Sequence, residues 1–286
     1  MKALKHAKSF LFIPANNEKF VSKAHLRGAD VIILDLEDSI PVAEKSNARR
    51  IINDSLKTLE SNGQLAVARV NGDLSNLVKD LESLDLAKVS GIFLPKIESQ
   101  GMVKAVDQLL SLLELAQGIE IGSTELIGII ESASGVAALD RICSASNRLV
   151  ALAVGSEDYA ADLNCEPCEE ALLGLCHEVK IATARTGIAA IGITGSIAEI
   201  KDLDKLSSQA KKAKRMGFNG ALCIHPVQVA IINSAFNYTD SQIDWASRVV
   251  EAMRKSASLN QGVCIVDGKM VDEPVLLRAQ TILDSM

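Results

Sequence analysis

Aromatic residues are scarce in this chain: one Trp, two Tyr and six Phe make up only 3% of its 286 residues. That excludes a core built on stacked rings. The apolar mass must come from Leu, Ile, Val and Ala, the usual fill of parallel strands and the helices that cover them. Positive charge is also in deficit, with 30 Lys and Arg against 36 Asp and Glu and a net charge of −6. A nucleic-acid partner needs a basic face, so none is expected, although a local pocket for one phosphorylated ligand stays open. No apolar run approaches the ~20 residues needed to cross a bilayer, so no membrane partner is expected either. The basic opening, residues 1–8, leads through a short apolar stretch straight into Asn16, Asn17 and Glu18. It does not read as a signal peptide, and a cytoplasmic location is the expectation.

Paired cysteines are few as well. Cys165 and Cys168 form a CxxC, with Cys176 and His177 following. A zinc site drawn from these four lacks a second paired element at the usual spacing, so free thiols are the favoured reading.

What the chain does have is a strand–helix rhythm. Eight short apolar runs recur, at residues 10–14, 31–36, 65–70, 91–94, 126–130, 149–154, 189–193 and 221–224. Their β-branched content and length suit buried parallel strands. Between them lie helical patterns, for example at 77–86, 102–116, 136–145 and 203–216. Gly28, Gly187 and Gly217 fall near helix ends, where a left-handed cap is expected. This is the pattern of an α/β protein with a (β/α)8 TIM barrel. The competitor, a doubly wound open sheet, would carry a GxGxxG after its first strand, and none is there.

Two segments are expected: residues 1–238 as the catalytic barrel, and 239–286 as a C-terminal helix–hairpin–helix arm. The arm reads as a helix over 241–256 capped by Thr239 or Asp240, then a hairpin turning at Asp267-Gly268, then a helix from about Pro274. It looks too short for a core of its own, and so reads as a lid or an interface arm.

Active sites of such barrels sit at the carboxyl ends of the strands. The residues there are Asp35-Leu-Glu37-Asp38, Arg69-Val-Asn71, Pro95-Lys96, Glu131, Gly155-Ser-Glu-Asp158-Tyr159 and His225-Pro226. Glu131 and Asp158 end neighbouring strands. Two carboxylates with water make a hard oxygen site suited to Mg2+, or both are solvated loop acids. Arg69 either pairs Glu37 or Asp38, or holds a substrate carboxylate with its bidentate fork. His225 is a general base or, the favoured reading, a helix-starting loop residue. Lys96 would form a Schiff base only with a depressed pKa.

Taken together, these segments resemble the citrate lyase beta subunit family, which includes malyl-CoA and citramalyl-CoA lyases within the aldolase/citrate lyase superfamily. The resemblance rests on Ser9-Phe-Leu-Phe-Ile-Pro14, Gly28-Ala-Asp30, Asp35-Leu-Glu-Asp-Ser39, Ala48-Arg49, Arg69-Val-Asn71, Leu94-Pro-Lys96, Ile130-Glu-Ser132, Gly155-Ser-Glu-Asp-Tyr159 with Asp162-Leu163, and Ile224-His-Pro-Val-Gln228. It covers nearly the whole chain. It implies a Mg2+-dependent carbon–carbon lyase in which Glu131 and Asp158 hold the metal and contact substrate. It also implies that Arg69 contacts the oxo acid or the thioester oxygen, while Glu37 and Asp38 support Arg69 and the metal's water shell. The stretch Gly268-Lys-Met-Val-Asp272 matches an arm motif whose aspartate enters a neighbouring subunit's site, which implies a homo-oligomer, trimer or hexamer, with Asp272 acting across the interface. Lys8 and Ala15 depart from the family's Arg and Gly near the expected CoA-phosphate region, and Lys lacks the bidentate fork.

The reaction implied is cleavage of a 3-hydroxyacyl-CoA, of the citramalyl-CoA or malyl-CoA type, to acetyl-CoA and a 2-oxo acid. Three alternatives stay open at this point: a citrate lyase beta subunit acting on citryl-acyl carrier protein, a free oxo-acid aldolase, and a non-catalytic barrel that binds metal and CoA.

Overall fold

The structure is a computed structural model that describes residues 4–284. Among these, the chain runs β1 (Ser9–Pro14), α1 (Glu18–Val21), β2 (Val31–Asp35), α2 (Lys45–Ser61), β3 (Leu65–Arg69), α3 (Leu74–Ser83), β4 (Gly91–Leu94), α4 (Gln100–Gln117), β5 (Glu125–Ile130), α5 (Ala133–Ala137), α6 (Leu139–Cys143), β6 (Leu149–Val154), α7 (Ser156–Asp162), α8 (Glu169–Thr186), β7 (Ala189–Ile191), α9 (Leu203–Arg215), β8 (Ala221–Cys223), α10 (Pro226–Phe236), α11 (Asp240–Ser258), β9 (Cys264–Val266), β10 (Lys269–Val271) and α12 (Glu273–Asp284).

The first eight strands form one parallel sheet in the order β7-β6-β5-β4-β3-β2-β1-β8. A bridge between Ile191 and Gly220 brings the two end strands together, and the Gly192 amide donates to the Gly220 carbonyl at 2.8 Å. This is the expected TIM barrel. Every expected strand is present, and β7 and β8 are shorter than their apolar runs. The helical pattern at 136–145 divides into α5 and α6 on either side of Ala138, which leaves the helical region. Gly28, Gly187 and Gly217 all have positive φ, at 72°, 73° and 96°, as their placement at helix ends requires.

Two apolar clusters follow from the two-residue period of the strands. Phe10, Ile33, Val67, Phe93, Ile127, Ile129, Ala153 and Ile191 fill the barrel interior. Leu11, Ile32, Leu34, Ala68, Leu94, Ile130 and Val154 face outward against the helices. The interior series decides where the chemistry lies. Continuing it past the apolar residues brings Asp35 after Ile33, Arg69 after Val67, Glu131 after Ile129 and Gly155 after Ala153. The same alternation that packs the barrel therefore aims these groups at its mouth.

The chain divides after Phe236 into two compact units. In the second, α11 opens with a capping box between Thr239 and Gln242. The hairpin turns at Asp267 and Gly268, both at positive φ (51° and 74°), the signature of a two-residue mirror-image turn. Against expectation, this segment has an apolar cluster of its own, formed by Ala246, Val249, Met253, Val266, Val271, Ala279 and Ile282. Two amphipathic helices and one hairpin face are enough to enclose it.

Candidate active site

Asp35 is the hub of the site. It is 1% exposed. Its Oδ1 accepts from the Glu37 amide at 2.8 Å and its Oδ2 from the Ser39 amide at 3.1 Å. Both oxygens also receive Arg69, Nε on Oδ1 and Nη2 on Oδ2, each at 2.7 Å. Burial opposes the charge on Asp35, but the Arg69 guanidinium outweighs it and holds the carboxyl below its ordinary range. Burial likewise opposes the charge on Arg69, and Asp35 with its neighbouring acids holds the cation firmly protonated. The fork of Arg69 is thus committed to Asp35, a residue that inspection of the sequence did not single out as a partner. The only signal was its inward place at the end of β2.

The remaining edge of Arg69 meets the other two acids of the loop. Nη1 lies 3.0 Å from Oε2 of Glu37 and 3.2 Å from Oδ2 of Asp38. The Arg69 guanidinium also lies 4.8 Å from the centre of the Phe12 ring, a cation–π contact. Beneath the loop, the Asn71 side chain donates to the Leu36 carbonyl and to Asp80, at 2.9 and 2.6 Å, and Asp80 is anchored by Arg49 at 2.6 Å. Lys45 donates to the carbonyls of Leu36 and Glu37, both at 2.9 Å. Asn71 and Arg49 therefore act as scaffolding for the acidic loop.

Glu131 stands on the other side of the mouth and is 6% exposed. Its Oε1 accepts from the Lys96 backbone amide at 2.6 Å. Lys96 reaches that geometry at a φ of 52°, an uncommon conformation for a residue with a side chain. The Lys96 ammonium turns to Oε1 of Glu37 at 3.0 Å. Burial lowers its pKa, yet the bond to Glu37 and the nearby acids raise it above its ordinary value overall. That is the opposite of what a Schiff-base lysine requires.

Asp158 lies in the first turn of α7, past the end of β6 and not at a strand tip as the sequence suggested, while Glu131 directly follows β5, the strand paired with β6. Gly155 makes room for the Glu131 side chain: a methyl there would stand 2.6 Å from both Cβ and Oε2 of Glu131. The far end of α7 is tied back, with Asp162 accepting from the Ala133 amide at 2.7 Å. Burial first, and the Asp158 carboxylate second, push Glu131 up to about 8.

Asp35, Asp38, Arg69, Glu131 and Asp158 line one cavity of about 780 Å³, together with Ile129, Ile197, Leu222 and His225. His225 accepts the Val227 amide on Nδ1 at 3.2 Å, as a helix-starting loop residue would. The structure thus brings Arg69, Asp38, Glu131 and Asp158 to one cavity, with Glu37 bridging Arg69 and Lys96. Asp272 lies in the second unit, where it accepts from the Val275 amide at 3.4 Å in the first turn of α12. Cys165 and Cys168 are exposed while Cys176 is buried, its thiol 3.5 Å from the Ile193 carbonyl.

The donor set fits a hard divalent cation. Glu131 Oε1 has one donor, and among the described residues no hydrogen bond reaches its Oε2. A largely buried carboxylate whose proton affinity is raised by burial and by a second carboxylate is an arrangement that a shared cation relieves. Among the described residues no group of three or more His, Cys, Asp or Glu gathers as a metal site. Two protein oxygens, completed by water and substrate, are the mode expected of Mg2+ rather than of zinc.

Residues 8–226 match the HpcH/HpaI aldolase/citrate lyase family. The chain belongs to that family. Among its relatives is a citrate lyase subunit beta from Leuconostoc mesenteroides subsp. cremoris, 31% identical over 279 residues, 96% of this chain and 92% of that one. A (3S)-malyl-CoA thioesterase from Cereibacter sphaeroides is 31% identical over 282 residues, 96% of this chain and 93% of that one. Among solved structures, CitE from Mycobacterium tuberculosis in complex with magnesium, acetoacetate and coenzyme A superposes with a TM-score of 0.76 at 28% identity, covering 99% of each chain. Membership of the aldolase/citrate lyase family makes this chain a carbon–carbon lyase by class. No helix of the described residues is long and apolar enough to cross a membrane.

Proposed function

We propose that this protein is a magnesium-dependent lyase that cleaves a 3-hydroxyacyl-CoA, of the citramalyl-CoA or malyl-CoA type, to acetyl-CoA and a 2-oxo acid. The observation that carries the reading is the pair Glu131, directly after β5, and Asp158, in the first turn of the helix that follows the neighbouring β6, in a cavity that Arg69 also lines. The magnesium, acetoacetate and coenzyme A bound by the Mycobacterium tuberculosis protein are of the classes this reading requires.

Glu131 and Asp158 would hold the Mg2+, which when bound supplies Lewis-acid polarisation of the substrate's hydroxyl and carboxylate oxygens. The Lys96 amide fixes the Glu131 carboxylate. Asp35 fixes Arg69, so that the guanidinium meets the negative charge growing on the thioester oxygen as the carbon–carbon bond breaks. A preorganised donor of this kind is worth roughly 3–4 kcal/mol. Glu37 and Asp38 keep Arg69 and Lys96 in place and support the water shell around the ion. Asp272, supplied by a neighbouring subunit of a homo-oligomer (trimer or hexamer), delivers a proton to the acetyl carbon in cleavage, balancing the proton that a base takes from the substrate hydroxyl as it becomes the oxo group, and removes it in synthesis.

The direct test is a panel of citramalyl-, malyl- and citryl-CoA, offered to the purified protein with Mg2+ and with a chelator. Citramalyl-CoA should give pyruvate and acetyl-CoA only with the metal present. A citrate lyase beta subunit, the reading favoured by the Leuconostoc relative, would be inactive alone on citramalyl- and malyl-CoA. A free oxo-acid aldolase would not need the thioester. Asp272→Ala should abolish condensation of acetyl-CoA with the oxo acid while acid binding stays within about twofold. Condensation at the parent rate, or full activity in a monomer, would remove the proposed role of the arm.

Metal binding should depend on pH in a stated direction. Glu131 carries its proton up to about 8, and a protonated carboxyl is not a ligand. Apparent Mg2+ affinity should therefore rise about tenfold per pH unit from 6 to 7.5. The metal-free protein should behave in the opposite sense. Between the ordinary value of 4.5 and about 8, the folded chain holds a proton that the unfolded chain has lost, so this group's contribution to stability is full below 4.5 and declines as pH rises. Melting curves at several pH values, with EDTA and with Mg2+, read both effects. A magnesium-induced shift that shrinks with rising pH would contradict the assignment.

A further inference from the structure

One buried amide outside the acid–Arg set holds two cavity-lining loops together. Gln228, in the first turn of α10, is 0% exposed. Its Oε1 accepts from the amides of Ile224 and His225, at 2.8 and 3.1 Å. Its Nε2 donates to the Ile197 carbonyl at 2.8 Å. Oε1 therefore serves the loop after β8, and Nε2 serves the loop after β7. The β7 loop is pinned from its other side by Ser196, whose hydroxyl bonds the Glu157 carboxylate in the turn that carries Asp158.

Between these two anchors sits Ile197. Its side chain packs on the barrel's interior cluster and lines the cavity with Ile129 and Leu222. Ile129 in turn lies against Gly155, with a contact of 3.1 Å to a methyl placed there, and so borders Glu131. The surface these three side chains present is branched and uncharged. A small apolar substituent fits against it. A carboxymethyl group would lose its hydration against these three side chains, none of which carries a charge to offset that loss.

We propose that Ile197 is the wall that selects the substituent on the 2-oxo acid, and that Gln228 is the positioning residue that sets where the wall stands. The acid favoured is one with a methyl, of the pyruvate type, over longer or carboxylated ones. This rests on the lyase reading above for the acid's presence in the cavity, but its test does not depend on turnover.

The comparison is between the parent, Ile197→Ala and Gln228→Met, a substitution that keeps length and removes the three hydrogen bonds. Calorimetry of the Mg2+-loaded proteins gives the ratio of Kd for 2-oxobutyrate to Kd for pyruvate. One methylene against a packed wall should make that ratio about tenfold or more in the parent, and close to one in both variants. The double variant should show no further change, because both substitutions remove the same wall. Hydrogen exchange should speed up by at least about tenfold at the amides of Ile224 and His225 in Gln228→Met, with melting still cooperative. Unchanged exchange overturns the clasp. Faster exchange with the parent's acid ratio overturns the link between clasp and selection. A parent that condenses acetyl-CoA with pyruvate, yet whose acid ratio survives Ile197→Ala, overturns this inference and leaves the lyase reading standing. A parent that binds neither acid overturns both.

Discussion

With Asp158 replaced by Ala, metal-dependent turnover should fall by about 10³-fold or more while the fold stays intact. Asp158 is exposed, so its removal costs the barrel little; surface substitutions of this kind usually stay within about 0.5 kcal/mol. What is lost is one of two protein oxygens proposed to hold the ion. A Lewis acid contributes several kcal/mol of charge stabilisation, and about 4 kcal/mol corresponds to a factor near 10³. At the parent's working Mg2+ concentration both occupancy and kcat should fall; raising Mg2+ to saturation should restore occupancy and leave the loss in kcat. Turnover equal to the parent's at equal Mg2+ would remove the metal assignment.

Asp35→Ala should have the largest effect on stability of any change in the site. It leaves the Arg69 cation buried without its two-point partner, and strips the amides of Glu37 and Ser39 of their acceptor. Removing one partner of a buried pair costs about 3–5 kcal/mol, which for a chain of this size lowers Tm by roughly 6–15 °C. Activity should fall further than stability, because Arg69 loses the group that aims it. Asp38→Ala is the contrast. The Asp38 side chain is 57% exposed, and an exposed ion pair contributes about 1 kcal/mol at most. If the two variants melt together, the hub role of Asp35 is wrong.

Much of the fold could be read from periodicity. Each of the eight strands announces itself as a short apolar run, because a strand buried on both faces has no polar side to hide. The long helices announce themselves by their apolar stripes. The places where the sequence misled are informative. Residues 136–145 keep a helical pattern, but the backbone turns at Ala138 to follow the barrel. The arm seemed too short for a core, because its apolar residues are spread over two helices and a hairpin and gather only once folded. Glu131, Asp158 and Arg69 were legible as strand-end polar residues. Asp35 was legible as the inward residue ending β2 but not as the partner of Arg69, since two further acids follow it in the loop and only the fold brings its carboxylate against the fork. Lys96 was visible as a residue, but its work is done by its backbone amide, which no side-chain pattern records. Gln228 was quoted in a motif with no role.

Architecture and inventory follow from residue order alone: eight parallel strands, a family, and a set of acids with one arginine at the strand ends. Local rules fix these, because strand alternation and helix periodicity act over a few residues. Which acid holds Arg69, which oxygen of Glu131 takes the Lys96 amide, and which loops Gln228 ties together emerge once the chain has folded. Those outcomes depend on distances between residues about thirty or more positions apart, at 34 for Arg69 and Asp35, 35 for Lys96 and Glu131, and 31 for Gln228 and Ile197, and closure of the barrel is what sets them.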